Sequence, residues 1–431
     1  LFLCFTILVG IHELGHFLMA RAFKIRVEKF YIFFDPWFSL FKFKRGDTEY
    51  GLGWLPLGGY VKIAGMIDES MDKEQMKQPV KPDEFRAKPA WQRLLVMVAG
   101  VMMNVLLAIV IYCAVCYTWG DSYFSNQDAK WGYNFNPTAH EMGFRDGDRF
   151  VSIDGEEIDN VMRVQNDLLI TDGGRRVVVE RGGEPVTLDI PFESLLRMRQ
   201  EKAYEDLFTL RLPFIVDSVS YTSAVEAGLQ SGDEVVAIDD LRDADYPRYR
   251  DYLQKHKNDK VLLTVRRDGA LIDSLALPVD AEGRIGVTVT NPYSLRTQYY
   301  TFWESIPAGI HKAGKTISSY WDQLKLIVQP KTKMYEELGG FVAIGSIFPS
   351  SWDWHDFWLK TAFLSIILAV MNLLPIPGLD GGHALFTLWE IITRRKPSEK
   401  FLEVAQYVGL MIILALLVYA NGNDIYRFFI K

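Results

Sequence analysis

Two histidines one helical turn apart, with a glutamate between them, form the pattern in this sequence that is best suited to chemistry. The segment reads Gly10-Ile-His12-Glu13-Leu-Gly-His16. Residues i and i+4 of a helix share one face, so His12 and His16 can bind one metal ion. Zinc suits imidazole ligands and lowers the pKa of a coordinated water to about 7, and the adjacent Glu13 can act as general base on that water. The pattern predicts metal-assisted hydrolysis at a site holding one Zn²⁺ ion.

The surroundings of this pattern are apolar, which strengthens a functional interpretation. Residues Leu1 to Ile11 are apolar apart from Thr6 and Gly10. A charge isolated within a membrane-spanning helix costs at least ~2.5–3.5 kcal/mol, so charged residues there are functional by default. The alternative interpretation is a hydrogen-bonded contact between two helices.

A catalytic zinc ion also needs a third protein ligand and an open coordination position. The candidate segment runs from Met371 to His383 and contains Pro375 and Pro377. A broken helix at membrane depth is tolerated only against protein or a water-filled cavity. Asp380 is therefore the candidate third ligand, and His383 is its rival because imidazole is the better intrinsic zinc ligand. A third possibility is that Asp380 only caps a helix at the membrane boundary.

The average composition hides a separation of apolar from charged residues. The chain has 431 residues, of which 49% are hydrophobic and 23% charged, with a formal net charge of -7. These values exclude a disordered chain, a collagen-like chain and a basic nucleic-acid binder. Three segments nevertheless contain no charged residue and are close to the roughly 20 residues that cross a bilayer: 94–119, 361–379 and 404–423. With the N-terminal segment, they predict about four transmembrane helices in a lipid bilayer.

Basic residues in the connections predict the orientation of these helices. They cluster in three places: Arg21, Lys24, Arg26 and Lys29; Arg86, Lys88 and Arg93; and Arg394, Arg395, Lys396 and Lys400. The positive-inside rule assigns these connections to the cytoplasm. Residues 120–356 and the C-terminus are then expected outside, with Glu13 and Asp380 near the cytoplasmic ends of their spans.

The polar region between the second and third spans contains an internal repeat. Residues 138–148 parallel residues 223–233, and both continue into an alternating strand and a later basic hairpin. An offset of 85 residues is the size of a small domain, which predicts two tandem domains rather than a solenoid. A short helix ending in Gly, followed by Gly-Asp and a strand, resembles the PDZ fold, which binds peptides by adding a strand to a sheet edge. The alternative is that both domains serve only as a spacer or size filter.

The sequence thus predicts a multi-pass α-helical membrane protein with a membrane-associated β-hairpin and two tandem PDZ-like α+β domains. Apolar residues at spacings of three and four over Phe302–Val328 predict an amphipathic helix near the membrane surface or along another helix. The expected domains are an N-terminal membrane core (1–119), a first PDZ-like domain (120–206), a second PDZ-like domain (207–291), an amphipathic helical linker (292–356) and a C-terminal membrane core (357–431).

The histidine pattern and the proline-rich segment together resemble the site-2 protease family of intramembrane metalloproteases. The resemblance rests on His12–His16 and on Asn372–His383, and it extends over essentially the whole chain because Phe85–Pro89 and Gly100–Asn104 also fit family patterns. It implies roles for the following residues: His12, His16 and Asp380 as zinc ligands, Glu13 as the catalytic base, and Asn104 and Asn372 in substrate or oxyanion binding.

Residues 50–62 resemble the membrane-reentrant β-hairpin of that family. Their glycines, which include Gly51 and Gly53, punctuate aromatic and aliphatic residues. Backbone groups near a membrane must be paired, and an exposed strand edge can pair with an unwound substrate helix. We therefore expect Gly51 and Gly53 to take part in substrate binding. The alternative is a structural loop in the cytoplasm.

The resemblance also implies a function and a location. It implies cleavage of transmembrane segments of single-pass proteins, such as anti-sigma factors already shortened by another protease and remnant signal peptides, in regulated intramembrane proteolysis of an envelope stress response. The expected location is the bacterial cytoplasmic (inner) membrane, with periplasmic PDZ domains that contact or gate the outer parts of substrates, and with no nucleic acid partner. The competing hypothesis is a membrane-anchored PDZ scaffold with a structural or vestigial metal site, which has no need of Glu13. A zinc-dependent transporter is disfavoured because four spans with one His-rich turn give no continuous polar path.

Overall fold

The computed structural model describes residues 1–56, 58–66, 79–243 and 245–430, so Leu57 of the predicted hairpin lies outside the described residues. Its α-helices are α1 (Phe2–Ala22), α2 (Ala90–Trp119), α3 (Pro137–Glu141), α4 (Val164–Leu169), α5 (Phe192–Gln200), α6 (Thr222–Glu226), α7 (Tyr246–Lys255), α8 (Phe302–Ile327), α9 (Phe341–Ser346), α10 (Trp354–Leu373), α11 (Asp380–Thr393) and α12 (Glu399–Ile425). Short 3₁₀ turns lie at Phe85–Ala87, Asn126–Asp128, Val161–Arg163, Pro330–Thr332 and Met334–Glu337, and a π-turn at Tyr426–Ile430.

The strands fall into two groups along the chain. The first group is β1 (Val27–Ile32), β2 (Phe41–Arg45), β3 (Thr48–Leu52) and β4 (Tyr60–Ile63). The second group is β5 (Asp121–Tyr123), β6 (Tyr133–Phe135), β7 (Arg149–Ile153), β8 (Glu156–Glu157), β9 (Arg175–Arg181), β10 (Glu184–Ile190), β11 (Phe208–Leu210), β12 (Phe214–Val219), β13 (Glu234–Ile238), β14 (Leu241–Arg242), β15 (Lys260–Arg267), β16 (Ala270–Pro278), β17 (Val287–Val289) and β18 (Arg296–Gln298).

The chain forms two compact units. One unit combines Leu1–Asp121 with Gln298–Lys431, and the other is Ser122–Thr297. Among its described residues, the first unit contains four helices that are long and apolar enough to cross a membrane: Phe2–Ala22, Ala90–Trp119, Trp354–Leu373 and Lys400–Phe428. We call this first unit the helical unit and the second the insert unit. The boundaries of these two units do not coincide with those of the five predicted domains, and the five-domain division stays a prediction.

Helix α2 is the centre of the helical unit, because α1, α8, α10 and α11 all pack against it. Gly15 of α1 and Gly309 of α8 lie at two of these contacts. A Cβ added at Gly15 would collide with the backbone carbonyl of Ala99, and one added at Gly309 would lie 2.5 Å from the backbone nitrogen of Cys113. Small residues allow helix backbones to approach closely within a membrane. The amphipathic helix predicted from Phe302 onwards is present as α8, and it packs along another helix.

The third apolar segment is not a continuous helix. Helix α10 begins after Asp353, whose side chain accepts a hydrogen bond from the Asp356 backbone N–H, and it ends at Leu373. Proline removes a backbone donor and disfavours helical backbone in the preceding residue, which explains the stop before Pro375 and Pro377. Helix α11 then begins at Asp380, so the break places an acidic side chain at a helix start directly after the apolar segment.

Strands β1 to β4 form one sheet in the order β2-β3-β1-β4. Strands β2 and β3 form an antiparallel hairpin whose turn includes Gly46 at φ 64°, a backbone conformation that favours glycine. Strand β1 lies between β3, which is parallel to it, and β4, which is antiparallel. Residues 50–62 therefore span two strands that are not neighbours, and β4 is an edge of the sheet.

The insert unit contains two subdomains built from the repeat. The first subdomain carries the sheet β10-β9-β7-β8 and the strand pair β11-β6, and the second carries the sheet β16-β15-β13-β12-β17. Each has its own buried core, one around Phe150 and Val179 and the other around Val235 and Val265. The repeated segments 138–148 and 223–233 each supply a short helix and the loop that leads into β7 or β13.

A buried aspartate paired with an arginine recurs in both subdomains. Asp148 accepts two hydrogen bonds from Arg181, each 2.8 Å long, and Asp233 accepts two from Arg267 at 2.6 and 2.7 Å. The same arginines donate to the carbonyls of Gly143 and Gly228. Side chains of Asp148 and Asp233 are 1% and 0% exposed. This bidentate pairing explains why Gly-Asp recurs in the repeat, because it ties the loop to strand β9 or β15.

We expect Asp233→Asn to lower the local free energy of unfolding of the second subdomain by about 2–3 kcal/mol, because it leaves the guanidinium of Arg267 without its counter-charge. Hydrogen–deuterium exchange of residues 214–289 in the full-length protein measures this change. Asp273→Asn, at an exposed position of β16, is the matched control and should change exchange little. Equal exchange in the two variants would contradict the prediction.

The same pair gives the wild-type protein a defined pH dependence. Burial opposes ionisation of Asp233, but hydrogen bonds from Arg267 and from the backbone N–H of Gln230 outweigh it and lower the pKa of Asp233. The unfolded-state pKa is about 3.9. The stabilisation is therefore complete above about pH 4 and is lost as the pH falls through the lower folded-state pKa.

Candidate metal centre

Three candidate ligand atoms from two distant parts of the chain, helix α1 and the start of helix α11, converge in the helical unit. The Oδ2 atom of Asp380 is 3.1 Å from Nε2 of His12 and 3.2 Å from Nε2 of His16, and the two nitrogens are 3.2 Å apart. Both histidines are buried, at 7% and 8% exposure. The Oδ2 atom is also buried, and it accepts no hydrogen bond from the described residues. These contacts bring together the three side chains that the sequence proposes as metal ligands.

The spacing of the three atoms fits a zinc ion. Ligands that bind zinc at 2.0–2.1 Å in tetrahedral geometry are separated from one another by roughly 3.3–3.4 Å. The three separations observed here are 3.1–3.2 Å. The donor set of two imidazole nitrogens and one carboxylate oxygen also occurs in catalytic zinc sites, which leave a fourth position open.

Asp380, rather than His383, is the residue that faces the two histidines. His383 lies one turn further along α11, and it lines a different cavity with Arg93 and Glu390. The carboxylate of Glu390 accepts a hydrogen bond of 2.5 Å from Arg93, which joins α11 to α2. The geometry therefore favours Asp380 over the rival ligand, although its role stays a prediction.

Helix α2 supplies a supporting surface for both imidazoles. The ring of His16 is oriented by a hydrogen bond of 2.8 Å between its Nδ1 atom and the carbonyl of Val96. Gly100 lies one turn further on, and a Cβ there would lie 2.7 Å from Cε1 of His12 and would also collide with Nε2 of His16. A glycine at this position is required for α2 to approach the two rings this closely.

Glu13 lies at the wall of a cavity of about 600 Å³ that also contains the three converging side chains. Gly58, Gly59 and Tyr60 from the start of β4 form another wall. A Cβ at Gly59 would lie 3.2 Å from Cγ of Glu13, so the sheet backbone directly abuts the glutamate. Phe34 also lines the cavity and stacks on Tyr60 with ring centroids 6.1 Å apart.

The four predicted substrate-binding residues lie in different places. Asn372 lines the cavity, with its Nδ2 atom 3.4 Å from Nε2 of His12. Asn104 is fully buried on α2 and contacts the other ring nitrogen of His12. Gly51 and Gly53 are outside the cavity lining, and a Cβ at either would collide with Tyr31 or Phe34.

The loop that carries Asp380 is fixed by close contacts of glycines. A Cβ at Gly409 of α12 would overlap the carbonyl of Pro377. Gly381 lies just after the ligand, and a Cβ there would collide with the carbonyls that end α10. Gly378 has φ 102°, which only glycine adopts readily. The position of Asp380 therefore depends on α10 and α12 together.

Sequence reasoning missed the supporting role of Val96 and Gly100 and the cavity position of Gly59. Gly100 had no expected role beyond its place in a family pattern, and Asn104 was expected to bind substrate or an oxyanion, although their spacing of four already places both on one face of α2. A backbone carbonyl such as that of Val96 leaves no signal in a sequence.

The sequence of this chain matches known proteins over nearly its whole length. A family model described as "Peptidase family M50" matches residues 1–416. Among similar proteins, a "Regulator of sigma E protease" of Haemophilus influenzae is 28% identical over 446 residues, covering 98% of this chain and 97% of the relative. Proteins named "Putative zinc metalloprotease" include one of Vibrio cholerae, 30% identical over 98% of this chain and 96% of its own, and one of Clostridium perfringens, 28% identical over 98% and 96%.

We expect Asp380→Asn to reduce the zinc content of the purified full-length protein well below one ion per chain, because the amide is a weaker ligand than a carboxylate. His383→Gln is the matched control on the same helix, and it should retain zinc. Metal analysis after dialysis against a weak chelator measures both variants. Loss of zinc in the His383 variant alone would transfer the third ligand to that residue.

We expect Gly100→Ala to weaken zinc binding at least 10-fold, since the added methyl group displaces both imidazoles. The control is Gly314→Ala in α8, where a Cβ meets no atom within 4 Å. Competition with a chromophoric chelator in detergent solution gives both affinities. Equal affinities would show that the close approach of α2 is not needed for the site.

Proposed function

This chain belongs to peptidase family M50, and we propose that it is an intramembrane zinc endopeptidase that cleaves transmembrane segments of single-pass membrane proteins. The observation that carries the proposal is the convergence of His12, His16 and Asp380 beside Glu13, on helices that are long and apolar enough to span a bilayer. A hydrolytic site at this depth suits substrates whose peptide bonds lie in the membrane.

Family membership confirms the predicted site-2 protease family, the metalloprotease class and zinc as the cofactor. The membrane protein with additional β-sheets is likewise supported by the four candidate spans and the sheets described above. The individual ligands and the substrate class remain proposals for this chain.

In the proposed mechanism, His12, His16 and Asp380 would hold the zinc ion. Zinc held there would supply Lewis-acid chemistry, which polarises a carbonyl and lowers the pKa of water to about 7. The Glu13 carboxylate accepts a proton from the attacking water and later passes it to the leaving amine. Asn372, at the same cavity wall, is placed to donate a hydrogen bond to the substrate.

Strand β4 offers a route for substrate binding. A peptide bond inside a helix is shielded, so the substrate helix must be opened before hydrolysis. Tyr60, Val61, Lys62 and Ile63 of β4 all line the cavity, and β4 is a sheet edge. We propose that an unwound substrate segment pairs with this edge, which brings its backbone alongside Glu13.

The proposal also assigns a role to the insert unit and an orientation to the protein in the membrane. Two subdomains of repeated construction, with β17 at a sheet edge in the second, are consistent with PDZ-like domains. The basic residues of the connections support an inner-membrane protein whose metal centre lies towards the cytoplasm and whose insert unit is periplasmic. There the insert unit would contact or exclude the outer parts of substrates. The Haemophilus relative is named a regulator of sigma E protease, which is consistent with the anti-sigma-factor-like substrates that we propose.

We expect Glu13→Gln to lower the rate of cleavage of a model transmembrane substrate by about 10²–10⁴-fold, because the amide cannot accept the proton. Zinc content and thermal stability should stay at wild-type values. Single-turnover assays in detergent micelles or liposomes measure the rate. An active Glu13→Gln variant would rule out this mechanism and favour a scaffold with a structural metal site.

A further inference from the structure

Asn104 is a buried polar residue whose contacts differ from those of a substrate-binding group. It lies on α2 at 0% exposure and is absent from the cavity lining. Its amide Nδ2 atom is 3.2 Å from Nδ1 of His12. Its Oδ1 atom is buried and has no hydrogen-bond partner among the described residues. A buried amide oxygen without a partner costs about 1–3 kcal/mol, so this arrangement needs an explanation.

The position of the proton on the His12 ring indicates how the Asn104 amide is oriented. His12 presents Nε2 to Asp380 and His16, at 3.1 and 3.2 Å. A neutral imidazole that binds a metal through Nε2 carries its proton on Nδ1, which is then a hydrogen-bond donor. The partner of Nδ1 must be an acceptor. Rotation of the Asn104 amide by 180° exchanges Oδ1 with Nδ2 without changing its shape. Oδ1 then accepts the Nδ1 proton of His12, and Nδ2 takes the buried position that has no partner among the described residues.

The neighbouring ligand is held in a matching way. Nδ1 of His16 is 2.8 Å from the carbonyl oxygen of Val96, so that ring also has an acceptor on α2. Val96, Gly100 and Asn104 are four residues apart and share one face of the helix. Val96 supplies an oxygen acceptor to His16, the side-chain amide of Asn104 faces His12, and the glycine between them makes room for both rings.

We propose that Asn104 is a positioning residue of the metal centre, whose side-chain oxygen accepts the Nδ1 proton of His12 and fixes the orientation of the ring. The inference rests on the proposed zinc ligands. It differs from the role that the family resemblance implies for Asn104, because a residue behind the ring does not touch substrate.

The test measures zinc affinity of the full-length protein in detergent, by competition with a chromophoric chelator. Asn104→Leu removes the acceptor and is expected to weaken zinc binding 10–100-fold. Asn104→Asp keeps an acceptor and is expected to stay within about threefold of wild type or to bind more tightly. Ser365→Ala is the matched control, because Ser365 donates only to the backbone carbonyl of Asn104, at 2.8 Å, and should leave the affinity unchanged.

Cobalt substitution provides a second readout. The visible absorption of Co²⁺ should change in Asn104→Leu and return towards wild type in Asn104→Asp. If the leucine variant fails to fold, Asn104→Ala, which removes the amide without adding volume, carries the same expectation. Wild-type affinity in the leucine or alanine variant overturns the inference, as does an aspartate variant as weak as the leucine one.

His12→Ala separates this inference from the proposed site. If His12→Ala abolishes zinc binding while Asn104→Leu leaves it unchanged, the site stands and the role of Asn104 is refuted. If His12→Ala binds zinc like wild type, the proposed ligand set fails and the inference fails with it.

Discussion

The close approach of α2 to α1 is the constraint on which the metal centre depends. Gly15 and Gly100 remove the side chains that would hold the two helices apart. The helix pair then encloses two imidazoles at 7% and 8% exposure, where polar groups must find partners within the protein. The carbonyl of Val96 supplies one such partner, and Asp380 reaches the two histidines only because the segment after α10 folds back against the same pair.

The helical unit and the insert unit both contain buried carboxylates, but the groups that face these carboxylates differ. A carboxylate removed from water is costly unless it is paired. Asp380 faces two imidazoles that suit a cation, whereas Asp148 and Asp233 each face a bidentate arginine. Among the described residues, the first arrangement leaves Oδ2 of Asp380 without a hydrogen bond, and the second gives both carboxylate oxygens a partner. The arrangement at Asp380 therefore suits metal binding, whereas the aspartate–arginine pairs hold a loop in place.

Much of this architecture could be predicted because it depends on local periodicity. A spacing of four on a helix places His12 and His16 on one face, and uncharged segments mark the spans. The choice between Asp380 and His383 was not available from the sequence, because it depends on where α11 begins after the two prolines. Nor could the sequence place β1 between β3 and β4, since strand pairing across a sheet is not a local property. For that reason Gly51 and Gly53 were expected near substrate, although Gly58 and Gly59 are the ones that reach the cavity.

The close contact between Pro377 and Gly409 joins the loop before Asp380 to the fourth candidate span. Only 6% of the most apolar stretch of the fourth candidate span is buried in the described structure, so few contacts with the rest of the protein hold that helix. Its Gly409 nevertheless packs against Pro377, which lies three residues before Asp380. A transmembrane helix whose apolar length differs from the hydrocarbon thickness of the bilayer can adjust by tilting. Because the contact joins this helix to the loop, a tilt of the helix would also move the Asp380 carboxylate.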